Sequence, residues 1–329
     1  MTILVTGGAG YIGSHTVAEL LHRGEEVVVV DSLNSGHKAA VSRGTFYKGD
    51  LRDREFLEGV FKKHDIEAVI HFAARSLVGE SVQIPLAYYD NNLLASHHLV
   101  SAMLDHGVQK IVFSSTAAVY GKPKQIPIRE EDPTVPTHPY GETKLAMEKM
   151  FRWCEQAYGL KSVSLRYFNA AGAHPEGEIG EDHHPETHLI PIILQVALGQ
   201  RDLIGIFGDD YPTEDGTCIR DYIHVMDLAR AHWLALEFLR KHQQSGVFNL
   251  GNGRGFSVKQ VIETAREVTG HPIPTEVRPR RAGDPAVLVA SSEKAQRVLG
   301  WKSQYHDLKT VIKSAWQWHQ AYPRGYADK

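Results

Sequence analysis

Short apolar runs alternate with amphipathic segments along the first half of the chain. The runs predict six strands, at residues 3–5, 27–30, 45–48, 68–71, 110–113 and 162–166. The segments between them predict helices at residues 11–23, 53–64, 84–106 and 140–158. Strands that are apolar throughout are typical of a parallel sheet covered by helices on both faces. The pattern therefore predicts an α/β fold built on a doubly wound parallel sheet.

The pattern is less regular after residue 166. Residues 173–188 are polar, residues 208–216 are rich in Asp, Gly and Pro, and helices are predicted at residues 189–198, 225–240, 257–269 and 308–320. No run typical of a linker separates the two halves. We therefore predict a first domain at residues 1–170 and a smaller mixed α/β lobe at residues 171–329. The lobe should pack on the domain, and the chain should cross between them.

Composition narrows the class of protein. The 329 residues contain 36 Lys and Arg and 39 Asp and Glu, a formal charge of −3. This balance disfavours a protein that binds nucleic acid or anionic lipid through a large net positive charge. With only Cys154 and Cys218, a disulfide scaffold is excluded and a reducing cytoplasm is expected. No apolar run is long enough to span a bilayer, and the N-terminus has no basic leader.

A glycine-rich segment follows the first predicted strand and opens the first predicted helix. Gly7, Gly10 and Gly13 have the spacing G-x-x-G-x-x-G. Glycines in this context permit a tight turn and a close approach of the backbone to a pyrophosphate, which the helix N-terminus then binds. The alternative is a plain glycine-rich turn. The context favours a dinucleotide site, which makes the predicted sheet one of the Rossmann type.

Asp31 ends the second predicted strand, 24 residues after Gly7. A carboxylate at this place accepts hydrogen bonds from an adenosine ribose and repels a 2′-phosphate. The alternative is an ordinary turn residue at a strand end. Together with the glycine spacing, which resembles that of short-chain dehydrogenases/reductases, Asp31 predicts NAD rather than NADP.

Tyr140 and Lys144 form a Y-x-x-x-K pair on a predicted helix, where positions i and i+4 share one face. A lysine ammonium near the tyrosine favours its phenolate form, as a general base requires. Thr116 follows the fifth predicted strand and offers a hydroxyl for the same substrate oxygen. Each residue alone also fits a solvated helix face or a strand-end cap. The three together predict a catalytic site.

The sequence lacks the motifs that two other classes of enzyme require. The sequence has no G-x-S-x-G elbow for an α/β-hydrolase and no Walker lysine after the glycine loop for a phosphoryl-transfer ATPase. Three of the 19 histidines, His183, His184 and His188, lie close together near acidic residues. Their spacing does not match a helical H-E-x-x-H motif and is interrupted by Pro185. No metal site is predicted.

Longer motifs resemble one family over almost the whole chain. They lie at residues 71–74, 78–81, 88–92, 113–121, 165–169 and, most diagnostic, 207–225. The chain resembles the bacterial UDP-glucose 4-epimerases of the extended short-chain dehydrogenase/reductase superfamily. The resemblance implies reversible C4 epimerisation of UDP-galactose and UDP-glucose with tightly bound NAD, in galactose metabolism, and a homodimer.

The resemblance also assigns residues by position. It implies that Thr116, Tyr140 and Lys144 are catalytic and also contact NAD, and that Thr116 and Tyr140 contact the sugar. The other residues implied to bind NAD are Gly7, Gly10, Tyr11, Ile12, Gly13, Asp31, Ser32, Leu33, Asn34, Ser35, Gly36, Asp50, Leu51, Phe72, Ala73, Ala74, Arg75, Ser76, Asn91 and Phe168. Those implied to bind the UDP-sugar are Asn169, Leu189, Phe207, Arg220, Arg281 and Asp284.

The sequence departs from the family pattern at two places. Some relatives carry a lysine at the position of Ser76, and Arg75 is the candidate substitute for its contact to the NAD pyrophosphate. Relatives that reject N-acetylhexosamines carry a tyrosine near residues 285–288, where this chain has none. Acceptance of N-acetyl sugars therefore stays open.

Three other functions make different demands on the sequence. A nucleotide-sugar 4,6-dehydratase begins with the same oxidation but carries Asp-Glu after the strand-end threonine, where this chain has Ala117 and Ala118. A simple alcohol dehydrogenase does not explain the second lobe, and an NAD-sensing regulator does not explain the intact Tyr140–Lys144 pair.

Overall fold

The computed structural model describes residues 1–281 and 284–327, so four residues of the predicted second lobe lie outside the described part. The described strands are β1 (Thr2–Thr6), β2 (Glu26–Asp31), β3 (Thr45–Lys48), β4 (Ile66–His71), β5 (Lys110–Ser114), β6 (Lys161–Tyr167), β7 (Asn169–Ala171), β8 (Ile204–Phe207), β9 (Ile219–His224), β10 (Gly246–Leu250), β11 (Gly255–Ser257), β12 (Thr275–Arg278) and β13 (Val287–Leu288). The α-helices are α1 (Tyr11–His22), α2 (Arg54–Lys63), α3 (Val78–Gln83), α4 (Pro85–Tyr88), α5 (Ala95–Asp105), α6 (Pro139–Tyr158), α7 (Leu189–Ala197), α8 (Val225–His242), α9 (Val258–Thr269), α10 (Glu293–Leu299) and α11 (Leu308–Ala321).

Seven parallel strands form the central sheet in the order β10-β6-β5-β4-β1-β2-β3. Successive residues of β1 show why these strands are apolar throughout. Ile3 and Val5 join the core under α1 and α8, whereas Leu4 joins the core under α2, α5 and α6. Side chains alternate between the faces of a strand, so a sheet covered on both sides buries every position. The predicted doubly wound fold and its six strands are confirmed.

The seventh strand, β10, was not predicted. It comes from residue 246 onward and pairs with β6 at the edge of the sheet, and α8, which precedes it, packs on α1. Phe248 and Leu250 are fully buried in the core under α8. The chain therefore returns to the first sheet after leaving it. The division at residue 170 stays a prediction.

Two smaller sheets and three helices form a second core after β6. β9 lies between β11 and β13 and also pairs with β7, while β8 pairs with β12. Ile193, Ile206 and Trp316 are among the side chains that pack together in this core beside α7, α9 and α11. The ends of β8 and β9 thereby lie on a framework separate from the seven-stranded sheet.

The prediction of one helix over residues 84–106 is confirmed, since helical backbone runs without a break from residue 85 to residue 105. The segment contains α4, a π-helical turn at Tyr89–Leu94, and α5. Pro85 begins a new helix because it lacks the N–H that a helix interior requires. The helix α3 before it was missed. Across the described residues, no helix is long and apolar enough to cross a membrane.

Candidate active site

The glycine loop lies where the strand order reverses, since β1 separates β4 from β2. Gly7 has φ +70°, and a Cβ on it would lie 2.5 Å from the backbone nitrogen of Ala73. A Cβ on Gly13 would overlap the carbonyl oxygen of Gly7. Gly10 precedes α1 without a side-chain cap, so no side chain covers the N–H groups of its first turn. The loop fits a pyrophosphate at the helix N-terminus.

Asp31 connects this loop to the loop after β2. Its Oδ2 accepts a hydrogen bond from the Ala9 N–H at 2.9 Å, and its Oδ1 accepts one from the Leu33 N–H at 2.8 Å. Burial raises the pKa of Asp31, and the two N–H donors act against that rise. Each carboxylate oxygen has a second lone pair. Asp31 can therefore order both loops and still accept from a ribose hydroxyl.

The remaining predicted NAD residues gather at the same edge of the sheet. They follow the carboxyl ends of β2, β3, β4 and β6, or lie in α1 or the π-helical turn: Tyr11, Ile12, Ser32, Leu33, Asn34, Ser35, Gly36, Asp50, Leu51, Phe72, Ala73, Ala74, Arg75, Ser76, Asn91 and Phe168. Ligands of open α/β sheets bind in this crevice. The residues present fit a dinucleotide.

Lys144 is buried on the face of α6 that packs on β5. Its Nζ donates to the Ser114 carbonyl oxygen at 2.8 Å and lies 4.8 Å from the centre of the Phe113 ring. Burial lowers the pKa of Lys144 to about 7, against the opposing charge of Glu148. The lysine amine is therefore held at a fixed place, and its poorly solvated ammonium form loses a proton near neutral pH.

Tyr140 and Thr116 meet one turn before Lys144. Burial raises the pKa of Tyr140, and the neighbouring Thr116 hydroxyl offsets part of that rise. Thr116 also accepts a hydrogen bond from the Ala118 N–H at 3.1 Å. The helix reaches this place because Gly141 lacks a Cβ, which would lie 2.8 Å from the Ala118 carbonyl oxygen. The structure thus brings together the three residues predicted to be catalytic.

A buried polar network underlies this group. Arg166 donates to both oxygens of Glu148, at 3.0 and 2.6 Å, and to the Tyr120 hydroxyl at 2.8 Å. The Tyr120 hydroxyl donates in turn to Asn249 at 2.7 Å. Glu148 lies one turn after Lys144 on α6 and also accepts from Ser115. The network joins α6, β6 and β10, and it fixes the helix that carries the tyrosine and lysine.

Asn92 is a site residue that the sequence analysis missed. It is fully buried in the π-helical turn, where its side chain bonds the Arg75 N–H at 2.8 Å and the Arg75 carbonyl oxygen at 3.1 Å. Its amide also donates to Thr143 on α6 at 3.1 Å. Asn92 therefore links the loop after β4 to the catalytic helix. Its neighbour Asn91, which was predicted, donates to the Asn92 side chain at 3.2 Å.

The Arg75 guanidinium points to Glu80, with nitrogen–oxygen distances of 3.3 and 3.2 Å. Its charge is therefore already paired with a carboxylate. The suggestion that Arg75 replaces a lysine at Ser76 stays a prediction, and this ion pair gives it no support.

The predicted UDP-sugar residues lie on the second framework. Asn169 begins β7, Leu189 begins α7 and Phe207 ends β8. Arg220 of β9 is buried and donates to Asp284 at 2.5 Å. The guanidinium of Arg281 lies 4.1 Å from the centre of the Phe207 ring. Two arginines, a carboxylate and an aromatic ring are the groups that a uridine diphosphate needs.

Comparisons with known proteins agree with this geometry. The model of the "NAD dependent epimerase/dehydratase family" matches residues 3–251. A protein of Halalkalibacterium halodurans named UDP-glucose 4-epimerase is 67% identical over 329 residues, covering 100% of this chain and 98% of the relative. One solved structure of a UDP-glucose 4-epimerase is 58% identical, with a TM-score of 0.98 and 99% of both chains covered. Another, from Bifidobacterium longum in complex with NAD+ and UDP, is 42% identical, with a TM-score of 0.94 and coverage of 99% and 100%.

Proposed function

Because the chain belongs to the NAD dependent epimerase/dehydratase family, we propose that it interconverts UDP-galactose and UDP-glucose by inverting C4 of the sugar. The observation that carries the proposal is a single arrangement. The neighbouring Tyr140 and Thr116 and the buried Lys144 lie at the same edge of the sheet as the glycine loop and Asp31.

NAD, when bound in this crevice, supplies the acceptor and donor of the C4 hydride. The chain's own residues supply the rest. Gly7 and Gly13 leave room for a pyrophosphate, and Asp31 faces the loop where a ribose would lie. Asp31 favours NAD because a 2′-phosphate would meet its negative charge.

Tyr140 would transfer the proton. Its hydroxyl would accept the proton of the C4 hydroxyl as the sugar is oxidised, and it would return that proton after the 4-keto sugar has turned over in the pocket. Thr116 would hold the same oxygen through its hydroxyl. Lys144, kept within the site by Ser114 and Phe113, would favour the phenolate by its positive charge.

Phe207, Arg220 and Arg281 would hold the UDP moiety. Arg220 is paired with Asp284 through one nitrogen and with the Ile219 carbonyl oxygen through another. A pyrophosphate oxygen would replace part of these contacts, and uracil would lie against the Phe207 ring where Arg281 now lies. Firm contacts on UDP and few on the sugar are what inversion requires, because the sugar must rotate.

Elimination chemistry is not supported. A 4,6-dehydratase needs an acid and a base beside the oxidised sugar, and the residues after Thr116 are Ala117 and Ala118. Both lie in a short 3₁₀ turn, Ala117–Tyr120, packed under α6. Methyl groups at these positions transfer no proton.

A homodimer is part of the proposal. Large apolar side chains are exposed along α3, α4 and α6, including Val82 at 63%, Leu86 at 81% and Trp153 at 61%. Clusters of exposed apolar side chains on helices are typical of protein–protein interfaces. Light scattering should give the mass of two chains for the wild type and of one chain for Leu86→Glu. A wild-type monomer would contradict this.

Two further parts of the proposal concern organisation and location. The NAD domain would span residues 1–170 and the UDP-sugar lobe residues 171–329. Strand β10 of the later segment completes the first sheet, and α8 packs on that sheet.

A cytoplasmic location is supported by the two cysteines, Cys154 and Cys218, neither of which forms a disulfide.

The test is an assay without added nicotinamide. Purified protein given UDP-galactose should form UDP-glucose and approach the same equilibrium from either sugar. Heat-released cofactor should be NAD at about one equivalent per chain. Formation of a dehydrated sugar, or activity only with added NADH, would contradict the proposal.

A further inference from the structure

Four polar side chains that the proposed mechanism does not use meet in the loop that precedes α7. They are Glu181, His183, Glu186 and His188, here called the His-Glu cluster. One oxygen or nitrogen atom from each lies within 4.8 Å of those of the other three. The two carboxylate side chains are buried, with 4% exposure each. Buried carboxylates next to imidazoles require compensation of their charge.

The separations fit a shared ligand. His183 Nδ1 lies 3.2 Å from Glu181 Oε1 and 3.7 Å from Glu186 Oε2. His188 Nδ1 lies 2.7 Å from Glu181 Oε1 and 3.4 Å from Glu186 Oε1. Four ligands at about 2.0–2.1 Å around a tetrahedral ion are about 3.4 Å apart. The two separations from His183 Nδ1 are near this value, whereas His188 Nδ1 and Glu181 Oε1 are closer together.

Two of these atoms lack hydrogen bonds. Glu181 Oε1 and His183 Nδ1 are buried and 3.2 Å apart, yet the angles between them do not suit a hydrogen bond. An N–H aimed along that line would form one at this distance. The ring nitrogen and the carboxylate oxygen therefore do not point at each other, which leaves both available to a third atom.

Backbone groups hold one ligand in place. Glu186 Oε1 accepts from the N–H groups of Thr187 and His188, at 2.7 and 2.8 Å. Such bonds leave its other oxygen facing His183 and orient the carboxylate before any ion arrives. Support of this kind around the ligands is characteristic of metal sites.

We propose that Glu181, His183, Glu186 and His188 bind one divalent transition-metal ion of the zinc type. Imidazole nitrogens favour such ions over Mg²⁺ and Ca²⁺, which prefer oxygen. The two carboxylates balance the double charge of the ion. Four protein ligands leave no open position, which makes the site structural rather than catalytic.

The ion would fix the loop between the two halves of the crevice. The His183 ring meets the ring of Tyr11 edge to face, with 6.2 Å between centres, and Asp182 accepts from the Tyr326 N–H at 2.9 Å. The loop ends where Leu189 begins α7. An ion within it would connect the start of α1 with the lobe proposed to bind UDP.

Without an ion, the cluster would be two imidazolium–carboxylate pairs. Burial lowers the pKa of both imidazoles, but the two carboxylates outweigh it and raise the pKa of His183 to about 9 and of His188 to about 10. This arrangement is equally neutral, so it is the rival explanation. The two differ in whether the cluster holds metal.

The experiment uses tag-free protein stripped by a chelator, loaded with excess Zn²⁺ and passed through gel filtration. Elemental analysis should find about one zinc per chain in the wild type and in His184→Ala, a control in the same loop. His183→Ala and Glu181→Gln should each lose it. Zinc at the wild-type level in both variants, or none in the wild type, would overturn the proposal.

Two measurements on the wild type guard against variants that do not fold. Co²⁺ in place of zinc should give the strong visible absorption of a tetrahedral ion, and an octahedral spectrum would contradict the site. Zinc should also raise the unfolding temperature of the stripped wild type by several degrees, because an ion bound only by the folded state stabilises it. No rise would contradict the inference.

Discussion

The two groups of residues proposed to handle the substrate are held in different ways. Tyr140 and Lys144 lie on a 20-residue helix that packs against the central sheet, and buried side chains support that helix from below. Arg220 and Arg281 lie at a short strand and in a loop, and they contact Asp284 and Phe207 of their own group. The first group is positioned by the fold, and the second largely by its own members.

The difference suggests a division of labour. Proton transfer needs fixed distances, so its residues are rigid before substrate arrives. The nucleotide group must exchange its internal contacts for contacts to UDP. Changes in the first group should therefore lower kcat, whereas changes in the second should raise KM.

The largest effect is expected for Tyr140→Phe. Removal of the hydroxyl should lower kcat by about 10²–10⁴-fold, because general acid–base catalysis typically contributes that much. Steady-state rates with UDP-galactose measure it. Tyr158→Phe, at the exposed end of the same helix, is the control and should keep the wild-type rate. An unchanged rate for Tyr140→Phe would remove the proposed base.

Arg220→Met should act on binding instead. Loss of a charge-assisted hydrogen bond of about 1.5–3 kcal/mol corresponds to a rise in KM, and a weaker binding of UDP, of roughly 10- to 100-fold. Calorimetry with UDP measures the binding. Arg297→Met, on the exposed side of α10, is the matched control. A fall in kcat at unchanged KM would contradict the proposal that this group acts on binding rather than on catalysis.

Leu288→Tyr tests the place where the groups meet. Leu288 belongs to β13, and it packs with Phe168 against Ala117, Val119 and Tyr120 beside the catalytic threonine. A larger side chain should lower the turnover of UDP-N-acetylgalactosamine relative to UDP-galactose by about tenfold, the low end for a changed pocket contact. Leu288→Met is the control. An unchanged ratio would contradict the placement.

Lys144→Met should change how stability depends on pH. Burial lowers the pKa of Lys144 to about 7 in the folded protein, from 10.5. Between these values the unfolded chain holds the extra proton. The unfolding free energy of the wild type should therefore rise relative to Lys144→Met as pH rises from 7 toward 10, by at most about 1.4 kcal/mol per pH unit.

Denaturant unfolding at several pH values measures this difference. Lys149→Met, at an exposed position of the same helix, should follow the wild type. Equal slopes for the wild type and Lys144→Met would show that the buried lysine is not held in this way.

Features with a local signal could be predicted from the sequence. Apolar runs predicted the buried parallel strands, and the i, i+4 spacing predicted that Tyr140 and Lys144 share a helix face. Features that depend on distant segments could not be predicted. The edge strand β10 pairs with a strand about 80 residues earlier, and nothing in its five residues indicates that partner. The pair Arg220–Asp284 and the contact of Arg281 with Phe207 also depend on the folded chain.

The His-Glu cluster shows the same limit. The search for H-E-x-x-H tests one helical spacing, whereas Glu181, His183, Glu186 and His188 converge in a loop. Asn92 was missed for a related reason, since its role depends on a π-helical turn rather than on a motif. Short sequence patterns predict helices and strands. They do not predict which side chains come together in a loop.

The most direct test of the central claim follows one hydrogen atom. UDP-galactose carrying deuterium at C4 is incubated with the protein in ordinary water, without added cofactor, and the UDP-glucose formed is analysed. We expect the deuterium to stay at C4, because the hydride leaves and returns within the site. Loss of the deuterium to water, or no UDP-glucose at all, would contradict it.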